Sequence, residues 1–366
     1  MNRSSLIWLL VLASTACATG LKPPEPTAMA AVETGLVFRF GMGQDGCDIP
    51  PPSLCETNKS KQFDPGNPSV LVKLAPFAID VHEVTNDQYR YCVAMGECSL
   101  NAGDNTANIA DYYAKPVEGG TVPNEKYGDY PVVLVNWLQA EEYCKFRGRR
   151  LPTEFEWERV AGGAAQSHAE KRLYPFSEPG PQPSAPSCSE HKVNLYACRL
   201  DERPAKVASS AGDTVTVDGG EVWDMFGNVY EWTASPKNDY VGCDMQGQPY
   251  DCGPCVKCLA INPTHTCTPQ CLPCACGDGS TATKPSCYKP CETPICPTWD
   301  AASQPIDPAV IIATPSDQVV IRGGSFAKGS GQGTIAPCEG RSDHRAFGRS
   351  KGDPHVAVGF RCALTL

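Results

Sequence analysis

Twenty-one cysteines in 366 residues constrain this chain more than any other feature it has. Free thiols in that number would be a hazard in a reducing cytosol, so the count points to an oxidising compartment in which cysteines pair. Eleven of them (Cys243, Cys252, Cys255, Cys258, Cys267, Cys271, Cys274, Cys276, Cys287, Cys291 and Cys296) fall between Lys237 and Asp317, in a stretch rich in proline and poor in large apolar residues. Such a stretch cannot bury much core and must be held by cross-links instead. It reads as an insertion, residues 237–317, in a larger domain. The remaining composition, 41% hydrophobic and 20% charged with 33 Gly and 34 Pro, suits a loop-rich globular protein. A net charge of −10 gives no basic surface with which to displace phosphate counterions, which argues against nucleic acid as a partner.

The N-terminus accounts for one thiol. Met1-Asn2-Arg3 precedes an apolar run, Leu6 to Ala13, that is too short to span a bilayer and ends in small residues, as a secretory signal does. Ala13-Ser14-Thr15-Ala16-Cys17 resembles a bacterial lipoprotein signal, in which the cysteine is lipidated and becomes the mature terminus; cleavage near Ala16 or Ala18 without lipidation is the alternative. The expected organisation is a signal peptide at 1–17, a proline-rich linker at 18–35 and one domain from 36 to 366. Lipidation of Cys17 leaves 20 cysteines, an even number as full pairing requires. The expected location is the cell envelope, lipid-anchored, in the periplasm or on the outer surface.

Three helix starts are legible. Thr85-Asn86-Asp87-Gln88 and Thr153-Glu154-Phe155-Glu156 have the form of capping boxes, and a third helix begins after Asn136 with Trp137, Ala140 and Cys144 on one side. Gly162-Gly163 supplies a stop. Val132-Val133-Leu134-Val135 and Val319-Val320-Ile321 read as short extended pieces.

Five segments in order resemble the formylglycine-generating enzyme, or sulfatase-modifying factor, family. They are Pro76 to Asp80 running into Glu83-Val84-Thr85-Asn86; Pro131-Val132-Val133 with Arg150 to Glu158; Asp224 to Trp232; Arg322-Gly323-Gly324-Ser325-Phe326; and Gly359-Phe360-Arg361-Cys362. The resemblance implies an α+β domain of C-type-lectin-like fold with little regular secondary structure, here interrupted by the cysteine-rich insertion. Active members oxidise a client sulfatase cysteine to formylglycine with two cysteines that bind Cu(I) a few residues after the Gly-Gly-Ser turn. Soft thiolates select that ion. Counting from the turn, Lys328 and Gly333 occupy those two positions, and neither offers a thiolate. Cys338 falls where the family has a structural cysteine, whose partner position is Ala161. The expectation is therefore a non-catalytic relative without copper, binding a protein or glycan of the envelope or exterior; formylglycine generation is the alternative. The iron-using branch carries a His-x3-His-x-Glu element. His82, His168, His191, His265, His344 and His355 do not have that spacing.

The resemblance also implies structural calcium. Asp224, the carbonyls of Gly227 and Val229, and Glu231 match one position, with Glu83 as a further contributor; Asn194, the Leu195 carbonyl and Asp201 resemble a second. These are the hard oxygen ligands that Ca²⁺ takes. Cys144 with Cys362 is a disulfide implied by the family, Cys92 with Cys98 a local one, and Cys188 with Cys198 a third, for which Cys338 competes. In the insertion, Cys252-x2-Cys255-x2-Cys258 and Cys271-x2-Cys274 have metal-site spacing, and Cys252-Gly253-Pro254-Cys255 matches a thioredoxin motif. After a signal peptide, disulfides and a rigid binding surface are the preferred reading.

Overall fold

The computed structural model describes residues 22–41, 70–101, 114–117, 120–167, 170–174, 193–195, 203–237, 317–327, 342 and 349–366. The elements are short. In order they are β1 (Met29–Val32), β2 (Val37–Phe40), β3 (Val70–Lys73), β4 (Phe77–Asp80), α1 (Asn86–Ala94), β5 (Ala114–Val117), β6 (Gly120–Pro123), α2 (Trp137–Phe146), α3 (Glu154–Gly162), β7 (Thr214–Val217), β8 (Gly220–Trp223), β9 (Tyr230–Pro236), β10 (Gln318–Arg322), β11 (Arg349–Ser350), β12 (Val358–Gly359) and β13 (Ala363–Thr365). Two small sheets organise them, β1-β4-β13 and β11-β10-β9-β12, together with three two-stranded pairs.

All three helices start where the sequence places them, and each carries a full capping box: Thr85 with Gln88, Asn136 with Gln139, Thr153 with Glu156. Each box satisfies two backbone N–H groups that a helix start leaves unpaired. α3 ends at Gly163, whose φ of 81° is one that L side chains resist. The helix is buried along its whole length, and its Trp157, like Trp232 of β9, has no exposed surface. Glu154 and Glu158 of α3 are buried with it. Their charges meet Arg322, whose Nη2 lies 2.5 Å from Glu158 Oε2 and 3.5 Å from Glu154 Oε2, while Lys171 donates to the other oxygen of Glu158. The Arg322 guanidinium also lies over the rings of Phe40 and Trp157.

Two expectations are corrected. Met29–Val32 falls in the stretch read as linker, yet it pairs antiparallel with β4 and buries Ala30 and Val32. Four residues of alternation are too few to stand out from a proline-rich approach. Val132 to Val135, read as extended, joins no strand among the described residues. It is a buried loop in which Leu134 takes φ 60°, in the left-handed region outside regular strand geometry. Val319 to Ile321 does form β10, paired with β9. At the far end of this pair the Lys237 amide donates to the Gln318 carbonyl at 2.8 Å, so the chain leaves and re-enters the sheet at adjacent points on either side of the cysteine-rich segment. That segment lies outside the described residues.

Cys92–Cys98 and Cys144–Cys362 are both bonded. The second ties α2 to the residue just before β13 across 218 residues of sequence. Cys17, Cys188, Cys198 and Cys338 lie outside the described residues.

Candidate functional site

The turn between β8 and β9, Asp224 to Val229, is where the described chain concentrates buried charge. Asp224 and Asn228 sit at φ 57° and 56°, and Gly227 at φ 144°. A side chain on Gly227 would place its Cβ 2.7 Å from the Asn194 carbonyl oxygen, so only glycine fits. Asn228 anchors the turn: its backbone N–H donates to the Asn194 carbonyl at 2.9 Å, its Nδ2 to Glu83 Oε1 at 3.0 Å, and its Oδ1 accepts from the Ala205 amide at 2.7 Å.

Four carboxyl groups converge on this turn, from Glu83, Asp213, Asp224 and Glu231, all essentially buried. One cation faces them. Arg361 donates through Nε and Nη2 to the two oxygens of Glu231 at 2.8 and 2.7 Å, and also to the carbonyls of Asp80, Trp223 and Asp224. Trp157 Nε1 adds a third donor to Glu231 at 2.9 Å. Glu231 Oε2 thus accepts two hydrogen bonds and Oε1 one, which leaves a lone pair on Oε1.

The other three are short of positive charge. Burial, and then the neighbouring Asp224 charge, push Glu83 well above the usual carboxylate range; the same two causes raise Asp213. Burial lifts Asp224 to about 6 against the pull of the Ala208 amide and Arg361. The Asp224 charge bears on Glu83, whose Oε1 accepts from Asn228 and whose Oε2 is buried with no hydrogen-bond partner. Burial opposes the charge of Arg361, but the pull of Glu231, Glu83 and Asp224 together more than offsets it, and Arg361 is raised.

An all-oxygen set with surplus negative charge and an orphaned carboxylate oxygen fits a hard divalent cation. Of the residues expected at the first calcium position, the structure brings Asp224, Gly227, Val229, Glu231 and Glu83 together around one turn. Among the described residues no three His, Cys, Asp or Glu side chains form a metal-binding group by themselves, so the carbonyls of Gly227 and Val229 would have to complete the shell. At the second position Asn194 Oδ1 is also buried without a partner, beside Leu195; Asp201 lies outside the described residues. Arg361 was visible in the Gly-Phe-Arg-Cys motif, but its role was not. Asp213 carried no sequence signal beyond its place before the alternating Thr214-Val215-Thr216-Val217.

The Gly323–Gly324 turn is also formed as the sequence implies, at φ 99° and 73°, with Gly323 backed by the Trp157 ring. Beyond it the Ser325 hydroxyl accepts from the Ala327 amide, and Phe326 is buried in an apolar cluster with Val133, Leu134, Val229 and Ala357. The four described cysteines are all in disulfides. Lys328 and Gly333 lie outside the described residues. Of the histidines, His82 contacts the Glu83 carbonyl through Nδ1 and His355 accepts from the Ala357 amide.

Comparison with known proteins places these features in a family. The chain is 30% identical over 179 residues to the serine/threonine-protein kinase pkn1 of Chlamydia pneumoniae, covering 47% of this chain and 24% of that protein. It therefore spans about a quarter of the length of that relative. It is 29% identical over 230 residues to the inactive C-alpha-formylglycine-generating enzyme 2 of Bos taurus, covering 54% of this chain and 68% of that one. Among solved structures, PvdO from Pseudomonas aeruginosa aligns with a TM-score of 0.48 at 21% identity, covering 94% of this chain and all of that one. The model of the sulfatase-modifying factor enzyme 1-like domain matches residues 24–366, and the chain belongs to that family.

Proposed function

We propose that this chain is an exported, non-catalytic member of the family that binds a protein or glycan of the cell envelope or exterior. The observation that carries the reading is the makeup of the segment after the Gly323–Gly324 turn. The family's chemistry requires two thiolates there, and this chain has Lys328 and Gly333 at those positions. The turn leads instead into Phe326, closed down on Val133, Leu134, Val229 and Ala357. Similarity to a relative named as an inactive formylglycine-generating enzyme supports the same reading.

In this proposal the domain keeps a C-type-lectin-like scaffold. Cys17 carries a lipid anchor that holds it to the membrane, and binding uses the former substrate groove or the cysteine-rich insertion. Structural calcium at the Asp224 turn, held by Asp224, Glu83, Glu231 and the carbonyls of Gly227 and Val229, neutralises the surplus charge there. Asn194 and Leu195 contribute to a second site. The ion supplies charge balance and no redox step.

Anaerobic titration of Cu(I), combined with incubation with a cysteine-containing sulfatase peptide, tests the reading. No two-thiolate copper signature and no aldehyde product are expected. Conversion of the peptide would establish formylglycine generation and overturn the proposal. Capture from an envelope extract, with and without residues 237–317, then assigns the binding surface.

A further inference from the structure

The hairpin β7–β8 stands directly before the charged turn, and it is fastened at both ends. At its tip Asp218 accepts from the amides of Glu33 and Thr34 at 2.7 and 2.6 Å and from the Thr34 hydroxyl at 2.6 Å. At its base the antiparallel register pairs Thr214 with Trp223, so the next residues outward, Asp213 and Asp224, face each other. The Asp224 amide donates to the Asp213 carbonyl at 3.0 Å.

The Asp213 side chain goes further. Its two oxygens accept from successive amides of the turn, Met225 N–H on Oδ1 at 3.1 Å and Phe226 N–H on Oδ2 at 3.0 Å. Asp213 is 1% exposed. Two consecutive amides gripping one carboxylate fix the peptide planes on the C-terminal side of Asp224. Asp224 is therefore held at φ 57°, which a free aspartate rarely adopts. The Ala208 amide, 2.6 Å from Asp224 Oδ2, and Arg361, on the Asp224 carbonyl, complete the hold. Backbone and side chain of Asp224 are thus both fixed from outside the residue.

We infer that Asp213 is a positioning residue for a divalent-cation site at the Asp224 turn: it sets the backbone so that the Asp224 carboxyl meets Glu83, without itself needing to touch the ion. The inference rests on the calcium reading given under the proposed function. Outer partners that orient a ligand are worth about 10- to 100-fold in metal affinity. The cysteine-rich segment, the lipid anchor and the turn after Gly324 play no part in it.

The test is calorimetric titration of calcium chloride into the full chain stripped of metal, for the wild type, Asp213→Asn and Asp213→Ala. Glu221→Gln, an exposed carboxylate on the same hairpin, serves as control. The expected result is binding by the wild type and by Glu221→Gln, and affinity weakened by about tenfold or more in both Asp213 variants. The calcium-induced rise in melting temperature should shrink by more than the metal-free melting temperature falls. A merely structural role would lower both melting temperatures together and leave the shift intact. Wild-type binding with unchanged affinity in Asp213→Asn overturns the inference, whereas no binding by the wild type overturns the calcium reading itself. Should the variants not fold, hydrogen exchange on the metal-free wild type decides. The Met225 and Phe226 amides are expected to be protected before any calcium is added, and free exchange there would sink the inference.

Discussion

Arg361 holds both oxygens of Glu231 in a bidentate pair at 2.7 and 2.8 Å, with neither side chain exposed. The planar guanidinium matches the carboxylate geometry, and its N–H groups also reach three backbone carbonyls. Removing one member of such a pair leaves an uncompensated buried charge. Arg361→Met should cost about 3–5 kcal/mol in denaturant unfolding. Combining it with Glu231→Gln should recover part of the loss, because the stranded charge goes too.

In the presence of a chelator the protein should be more stable near pH 5 than near pH 8. Asp224 has a folded-state pKa of about 6, and Glu83 and Asp213 are raised further. An unfolded carboxylate titrates at about 4. Between those values the folded state binds more protons than the unfolded one, so this contribution is full below about pH 4 and is lost as pH rises through 6. Calcium bound as proposed would replace the protons and should flatten the slope. Scanning calorimetry across pH, with chelator and with calcium, checks both limbs.

The two disulfides should differ in worth. Cys144–Cys362 closes 218 residues and Cys92–Cys98 only 6. A longer closed loop restricts the unfolded chain more, so replacing both cysteines of the long bridge by serine should cost more than doing so for the short one, within a range of about 2–5 kcal/mol for a native bridge. Equal losses in thermal melts would contradict this.

Gly323→Ala should destabilise by about 1–3 kcal/mol, the usual cost of forcing an L residue into such backbone. Its φ is 99°, and a Cβ would approach the Trp157 ring at 3.2 Å. Alanine at Gly352, which meets nothing within 4 Å and is not in positive φ, should be close to neutral.

Local features were legible in the residues themselves, whereas the long-range Cys144–Cys362 bridge came only through the family resemblance and other long-range contacts were not legible. Thr85 with Gln88 and Thr153 with Glu156 lie three residues apart, and both boxes formed as read. Gly323 and Gly324 announced a turn. Arg361 and Glu231 are separated by 130 positions, and nothing in either neighbourhood names the other as its partner. Asp213 was invisible for the same reason, since its role depends on a hairpin register. Val132 to Val135 misled because an unbroken apolar run marks burial without saying whether the buried backbone is strand or loop.

The amide of Lys237 and the carbonyl of Gln318 are 2.8 Å apart. The connection between β9 and β10 therefore starts and ends at adjacent points of the sheet. The entropy of closing such a loop grows only with the logarithm of its length, each doubling adding about 0.6 kcal/mol. Through that term alone the β9–β10 pair tolerates connections of very different length. A shorter connection could be grafted across β9 and β10 at a small entropic cost, but with Cys17 lipidated the eleven cysteines of the segment and the nine elsewhere can all pair only through at least one bridge between them, which couples the cargo to the domain.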